Sequence, residues 1–339
     1  MELWVDALLI VVAAILIDRF IGELPNAVHP LRWMGNIFDA INRRVKDRAS
    51  FSATVIGFLS YMLVFVLFCF AGLLVTTFFR CAVSALASPL WGEVAWIIAT
   101  AFMFKVTFAV FSFRHHCDPI VADLDAGRVE DAAAKVQMIV SRDTRGMDAE
   151  HIASSCCETV SENLVDSIFS PTFYFGLLGL PGAVMFRCAN LMDAMWGYLN
   201  EKYARLGYFP AKLDDVLGFL TSRASPFFVA VAGYLLGMEW RAAVPAAKAE
   251  HAKTPSPNSG WSMTAVAAAL GISMEKKGVY VMGTGPMPGT RDVERCCRLV
   301  ELTSIIFMLS VTFILYALTG IRVQLFFESY VQQIWGVLF

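Results

Sequence analysis

The residues of this chain that can do chemistry are concentrated between Val140 and Arg223. Glu158, Glu162 and Asp166 stand at i, i+4 and i+8, which puts three carboxylates on one stripe of a helix. Stacked like charges repel unless a cation neutralises them. Mg²⁺ holding phosphate oxygens would do so, because it takes hard oxygen ligands and accepts only a few of them from protein. For such a stripe taken alone, a solvated acidic helix face is the plain alternative. Here it has company. Arg142, Asp143, Thr144 and Arg145 precede it; Arg187, Asn190 and Asp193 follow, and then Asn200, Tyr203, Arg205, Lys212, Asp214 and Asp215. Ionisable groups gathered between apolar stretches of membrane length are a functional-site hypothesis by default.

Several familiar patterns are missing. The sequence has no Walker A loop, no dinucleotide fingerprint and no nucleophile elbow. Gly283, Thr284 and Gly285 form a weak glycine cluster that turn geometry explains as well as phosphate binding does. His115 and His116 precede Cys117 and Asp118, but adjacent histidines point apart and make a poor ligand set. His29 before Pro30 reads as a turn residue. Lys105 sits inside an apolar stretch, where it snorkels, pairs with an acid or reaches a phosphate.

The elements that must position these groups are helices in a membrane. Of 339 residues, 57% are hydrophobic and 17% charged, and the mean hydropathy is +0.60. A soluble domain has roughly 25% charged residues, so this chain cannot present a water-facing surface all round. With 27 basic against 29 acidic residues it also lacks the basic face of a nucleic-acid binder. The eight cysteines have no zinc-site spacing and read as reduced thiols. Four apolar stretches read as firm transmembrane helices: 3–17, 51–79, 94–113 and 301–319. The first is a retained span, since it lacks the basic start and cleavage site of a signal peptide.

Two further apolar stretches are broken or re-entrant: 168–186, with Gly179, Pro181 and Gly182 near its centre, and 216–237, with Arg223 and Pro226. A break in lipid frees backbone groups that must be buried in protein or line a wet cavity. Val129, Ala132, Ala133, Val136, Ile139 and Val140 recur at helical spacing, and Asp148 opens a second helix. The stretch 251–289 reads as an ordered loop region. Loop 18–50 carries Arg19, Arg32, Arg43, Arg44, Lys46 and Arg48, whereas 80–93 carries only Arg80, so the first faces the cytoplasm. The expected fold is all-α, one polytopic membrane domain over 1–339 with cytoplasmic helical loops.

The polar blocks resemble those of a known family. Ser141 to Asp148 (SRDTRGMD) and Glu158 to Asp166 (ETVSENLVD) resemble a block of the adenosylcobinamide-phosphate synthase family, the CbiB/CobD proteins of cobalamin biosynthesis. The likeness continues through Gly179–Ala183 (GLPGA), Asn190–Tyr198 (NLMDAMWGY), Ala211–Asp215 (AKLDD) and Ser256–Trp261 (SPNSGW). Upstream, Asp18, Arg19 and the His29–Arg32 run (HPLR) resemble its amino-terminal segment. The chain departs from the family's usual pattern at Leu191 and Ala194, at Lys212, at Gly218 and at Lys276–Gly278.

The resemblance implies a multi-pass enzyme of the cell membrane with its active site facing the cytoplasm. With ATP and Mg²⁺ it would join adenosylcobyric acid to (R)-1-amino-2-propanol or its O-phosphate through an amide bond, the corrinoid being substrate rather than cofactor. On that reading Glu158, Glu162 and Asp166 hold Mg²⁺ or order its water shell. Arg142, Asp143, Arg187, Lys105 and Asn190 would contact the nucleotide phosphates. Asp193 or Asp215, with Asp214 beside it, would accept the proton of the attacking ammonium. Asn258 and Trp261 would face the corrinoid. Partners beyond the substrates and the lipid bilayer would be a second copy of the chain or other late cobalamin-assembly enzymes, and no nucleic acid. An AmpE-like membrane regulator and a corrinoid transporter are the competing readings. A transporter would be expected to show repeated halves with matching breaks, and none are visible.

Overall fold

A computed structural model describes residues 2–45, 51–197, 203 and 205–338. Lys46, Arg48, Tyr198 and Asn200, which enter the sequence argument, lie outside the described residues. In chain order the helices are α1 (Leu3–Phe20), α2 (Pro30–Arg44), α3 (Phe51–Leu86), α4 (Pro89–Lys105), α5 (Ser112–Asp125), α6 (Val129–Val136) and α7 (Ala149–Asn163). A π-helical turn, Leu164–Phe169, leads into α8 (Ser170–Leu178), α9 (Leu180–Trp196), α10 (Tyr208–Leu217), α11 (Phe219–Leu235), α12 (Trp240–Glu250) and α13 (Ser259–Leu270). Strands β1 (Met274–Lys276) and β2 (Tyr280–Met282) pair antiparallel. The chain ends with α14 (Thr290–Phe307), α15 (Phe313–Leu315) and α16 (Ile321–Leu338), with π turns at Met308–Thr312 and Tyr316–Gly320. The fold is thus nearly all helical, as the composition requires.

Among the described residues, two helical stretches are long and apolar enough to cross a membrane, Phe51–Leu86 and Thr290–Ile334, and Tyr208–Leu217 with Phe219–Leu235 adds a third if taken together. The other two expected spans form helices but fall short. Helix α1 carries Asp6, Asp18 and Arg19 in its 18 residues, and α4 has 17. The expected span 94–113 is not one helix, because α4 stops at Lys105 and α5 begins only at Ser112. Two compact units make up the chain. The first comprises Met1–Phe108, Ser170–Leu217 and Met308–Phe339; the second comprises Ala109–Phe169 and Gly218–Phe307.

In the first unit, local chemistry sets the helix starts. His29 caps α2, its Nδ1 accepting from the Leu31 amide at 3.2 Å with Pro30 at the first position. Ser88 caps α4 ahead of Pro89. The expected break in 168–186 is a fold-back at Gly179, whose φ of 69° suits glycine. A Cβ on Gly182 would lie 2.1 Å from the Tyr174 carbonyl oxygen, so α8 and α9 return against each other and only glycine fits there. The core of this unit is apolar and aromatic, with Phe38, Tyr61, Phe186 and Trp196 all buried.

Two polar ties are enclosed in that unit. Glu328 of α16, 1% exposed, accepts from Thr76 Oγ1 at 2.7 Å, Trp96 Nε1 at 2.9 Å and Gln324 Nε2 at 3.0 Å. This draws α3, α4 and α16 together. Twelve residues beyond Asp6 on α1 and beyond Glu93 on α4, Asp18 meets Lys105 at 2.9 Å, with both side chains at 2% exposure or less. Lys105 also reaches Glu23 at 3.3 Å, and Glu23 pairs with His29 at 3.2 Å. Burial alone would raise the Glu23 carboxyl, but His29 and Lys105 pull it down to about 2.

Removing one partner of a buried ion pair leaves the other charge without compensation, at a cost of about 3–5 kcal/mol. Lys105→Met is expected to lower the stability of the detergent-solubilised protein by that order. The double variant Asp18→Asn/Lys105→Met should lose clearly less. Thermal unfolding followed by tryptophan fluorescence checks both.

Candidate active site

The second unit builds a polar cavity of about 420 Å³ around the acidic end of α7. Asp148 caps that helix, its Oδ1 accepting from the His151 amide at 2.9 Å, so the predicted start is observed. Glu158 is 1% exposed. Arg142, on the loop before α7, forks onto it, Nη1 to Oε1 at 3.2 Å and Nη2 to Oε2 at 2.5 Å. Tyr280 Oη donates to Oε2 at 2.7 Å and Ser154 Oγ to Oε1 at 3.0 Å. Burial would lower the Arg142 guanidinium, but the bonds and charge of Glu158 more than offset this and hold it above its ordinary value. Burial and the adjacent Glu158 carboxylate raise the Tyr280 phenol, so it stays a donor.

Glu162, one turn along, lines the same cavity with Asn163, Lys276, Ser256 and Ser259. Burial pushes its carboxyl above the ordinary range; Lys276 opposes this and Glu158 adds to it. Asp166 is not among the lining residues. The expected stripe ends at Glu162 because the chain turns π-helical at Leu164, and a wider turn carries the next residues off the face that 3.6-residue periodicity would keep.

The three-carboxylate metal set is therefore not assembled. Among the described residues no group of three or more His, Cys, Asp or Glu is placed to hold a metal ion. The cation that neutralises Glu158 is Arg142. The donors still fit Mg²⁺ in one form, with Glu162 as its carboxylate and substrate oxygens making up the rest, since this ion is commonly held by one or two carboxylates plus phosphates.

The hairpin was missed by the loop reading of 251–289. Its signal is the β-prone run Val279–Met282 directly after Gly278, which has φ 71°. Met274 faces Met282 and Lys276 faces Tyr280 across the ladder. Period 2 puts these four on one face. Ser154 Oγ accepts from the Glu275 amide at 2.8 Å, pinning β1 to α7.

Other sequence candidates of this unit lie near its loops. Asp143 is held by Arg145, Nη2 to Oδ2 at 2.5 Å, and lines a different, open cavity with Glu130 and Gln137. Asn258 is buried and accepts from Arg223 Nη1 at 2.9 Å and Ser222 Oγ at 3.2 Å. Trp261 stacks on His251, centroids 4.0 Å apart at 11°, with the Arg223 guanidinium 5.4 Å from its ring. Its buried indole N–H has no hydrogen-bond partner among the described residues, the sort of donor a ligand can satisfy.

The first unit holds the remaining candidates. Lys105 is committed to Asp18 and Glu23, so of the three fates open to it from sequence the structure selects pairing with acids. Arg187, Asn190 and Asp193 recur at three-residue steps on α9, which packs on α10 with Lys212, Asp214 and Asp215. Arg187 Nη1 donates to Asn190 Oδ1 at 3.2 Å, and Lys212 pairs with Asp215 at 3.2 Å. Asp214 is half-buried beside Asn190, Asp193 and Asp215. Asp193 lies beyond the apolar stretch 168–186; burial, and then the charge of Asp215, raise its carboxyl to about 6.

A carboxyl raised from the 3.8 of an open chain to about 6 disfavours the folded state once it ionises. Well below pH 3.8 the group is neutral folded and unfolded and contributes nothing; the penalty grows as the pH rises through 3.8 and is complete only above about 6. Asp193→Asn is therefore expected to raise the melting temperature at pH 8 and to raise it far less near pH 4. Thermal unfolding at the two pH values checks this, and an equal shift at both would contradict it.

Comparison with known proteins bears on the whole chain. The family described as CobD/Cbib protein matches residues 11–303. A probable cobalamin biosynthesis protein CobD of Methanothermobacter thermautotrophicus is 35% identical over 316 residues, 93% of this chain and 97% of the relative. Proteins of the same name from Methanocaldococcus jannaschii and Pyrococcus abyssi are 34% and 31% identical, each over 90% of this chain and 97% of the relative. No solved structure matches. With nearly its full length aligned, and with the Arg142 and Glu158 blocks paired in space, this chain belongs to the CobD/CbiB protein family.

Proposed function

We propose that this chain is a membrane enzyme of cobalamin biosynthesis that joins adenosylcobyric acid to (R)-1-amino-2-propanol or its O-phosphate, with ATP and Mg²⁺. The family supports the pathway, since relatives covering nearly the whole chain are named as probable cobalamin biosynthesis proteins. The observation that carries the reaction class is the cavity on α7. It is small and polar and offers both signs of charge from Arg142, Glu158, Glu162 and Lys276, which suits a phosphate group and its counter-cation.

A carboxylate is a poor acyl donor, and bound ATP with its metal supplies the activation and the positive charge that phosphoryl chemistry requires. The protein's contribution is positioning and preorganised electrostatics. Glu158, fixed by Arg142, Tyr280 and Ser154, holds the guanidinium in place and keeps the cavity wall rigid. Glu162 is the carboxylate left to hold Mg²⁺ or its water shell. Among the groups of the first unit, Asp193 or Asp215, with Asp214 beside them, is the candidate acceptor for the ammonium proton, since a carboxyl near neutral pKa suits that task. Asn258 and Trp261 offer an amide and a flat ring to the corrinoid. The site faces the cytoplasm of the cell membrane on this reading, because the most basic loop, 18–50, faces inward.

Membranes carrying the chain, given ATP, Mg²⁺, adenosylcobyric acid and aminopropanol or its phosphate, are expected to form the amide product, followed by mass. Glu158→Ala and Glu162→Ala should each lower turnover at least about a hundredfold, the scale of losing one preorganised electrostatic group, while insertion is retained. Turnover kept by both variants contradicts the site. Substrate uptake into vesicles without a change of mass would instead indicate a transporter.

A further inference from the structure

Arg142 and Lys276 are the two cations that line the α7 cavity, and they are not equivalent. The Arg142 fork is spent on Glu158. Lys276 makes no ion pair among the described residues, although it acts electrostatically on Glu162 across the cavity. Lys276 is not simply a surface lysine. It shares its face of the hairpin with Met274 and Met282, which are fully buried, and with Tyr280, whose hydroxyl is bonded to Glu158. Its neighbour Lys277, in the turn beyond β1, is exposed and pairs with Asp148. One lysine thus lines the cavity and the next does not. Glu162, in turn, accepts no side-chain hydrogen bond among the described residues. The cavity presents a cation and an anion that face one space without touching.

We propose that Lys276 and Glu162 together read a ligand carrying a phosphate beside a positive centre: Lys276 takes the phosphate and Glu162 takes the cation. Arg142 is then a positioning residue rather than the phosphate contact its place in the loop suggests. This rests on reading the α7 cavity as the phosphate-handling site. Two ligands share that chemistry, a nucleoside triphosphate with its divalent ion and a phosphorylated amine. Binding, not turnover alone, separates them.

The test uses the full-length protein purified in detergent and isothermal titration with three probes: ATP with Mg²⁺, aminopropanol phosphate, and aminopropanol. Loss of one charge-assisted hydrogen bond corresponds to roughly a ten- to hundredfold weakening. If the phosphate belongs to the nucleotide, Lys276→Gln weakens ATP by that factor and leaves the two amines unchanged. If it belongs to the amine, Lys276→Gln weakens aminopropanol phosphate alone, down to the affinity of aminopropanol. Lys276→Arg should retain most of the affinity in either case, and an unchanged melting temperature shows that the variant is folded. Glu162→Gln should weaken the same probe as Lys276→Gln. If Lys276→Gln shifts no probe by more than twofold, the assignment is overturned. Should the wild type bind a phosphate probe through Lys276 yet form no amide product, the proposed reaction fails and this inference stands. Should it form product with Lys276→Gln indistinguishable, the inference alone fails.

Discussion

A carboxylate taken almost wholly out of water must receive its hydrogen bonds from the protein, and Glu158 receives them from three separate stretches of chain. Arg142 comes from the loop before α7, Ser154 from one turn back on the same helix, and Tyr280 from the hairpin more than a hundred residues on. Each donor is itself anchored. Ser154 is tied to β1 by the Glu275 amide, and the loop behind Arg142 is held where Gln137 accepts from the Thr144 amide and donates to the Arg142 carbonyl. Satisfying one buried charge therefore fixes the geometry of the whole cavity wall. The energetic asymmetry explains why the arrangement is all or nothing: a complete polar network rigidifies, whereas a partly satisfied one costs more than an apolar core.

That same satisfaction decides which groups are left for a ligand. Because Arg142 and Glu158 neutralise each other, the chemically open pair is Glu162 with Lys276. A motif lists residues by type and cannot say which of them are spent on one another. On the proposed reading, function resides less in the charged block as a whole than in the members that the block leaves uncommitted.

The first unit treats buried charge in a related way. Its long apolar helices enclose Glu328 with a threonine, an indole and an amide, and Lys105 with two acids. In an apolar surrounding an unpaired polar group is expensive, so each intrusion into the helices arrives with its partners. Lys105 also shows why a hydropathy profile misjudged a boundary. The window 94–113 carries no charge but Lys105, yet the helix ends at the lysine, where the chain makes tight turns, with the Thr107 amide bonded to the Phe104 carbonyl and the Phe108 amide to that of Lys105.

Read alone, the sequence determined the class of structure and much of its punctuation. Composition required helices in an apolar setting; Asp148 marked a helix start; the glycines near 179 marked a break, whereas His29, which reads as a turn residue, proves to cap α2. These signals are local, resting on side-chain capping, allowed φ values and hydrophobic periodicity, and they survive in any fold that keeps the helices. The polar blocks also disclosed the family, because their order along the chain is itself information. The tertiary structure alone decided who pairs with whom. Nothing in the string joins Arg142 to Glu158, brings Tyr280 to the same carboxylate or gives Lys105 to Asp18, and the i, i+8 spacing hid the π turn that removes Asp166 from the cavity. Pairing is a contest among all charged groups within reach, settled by burial and geometry that sequence separation does not encode.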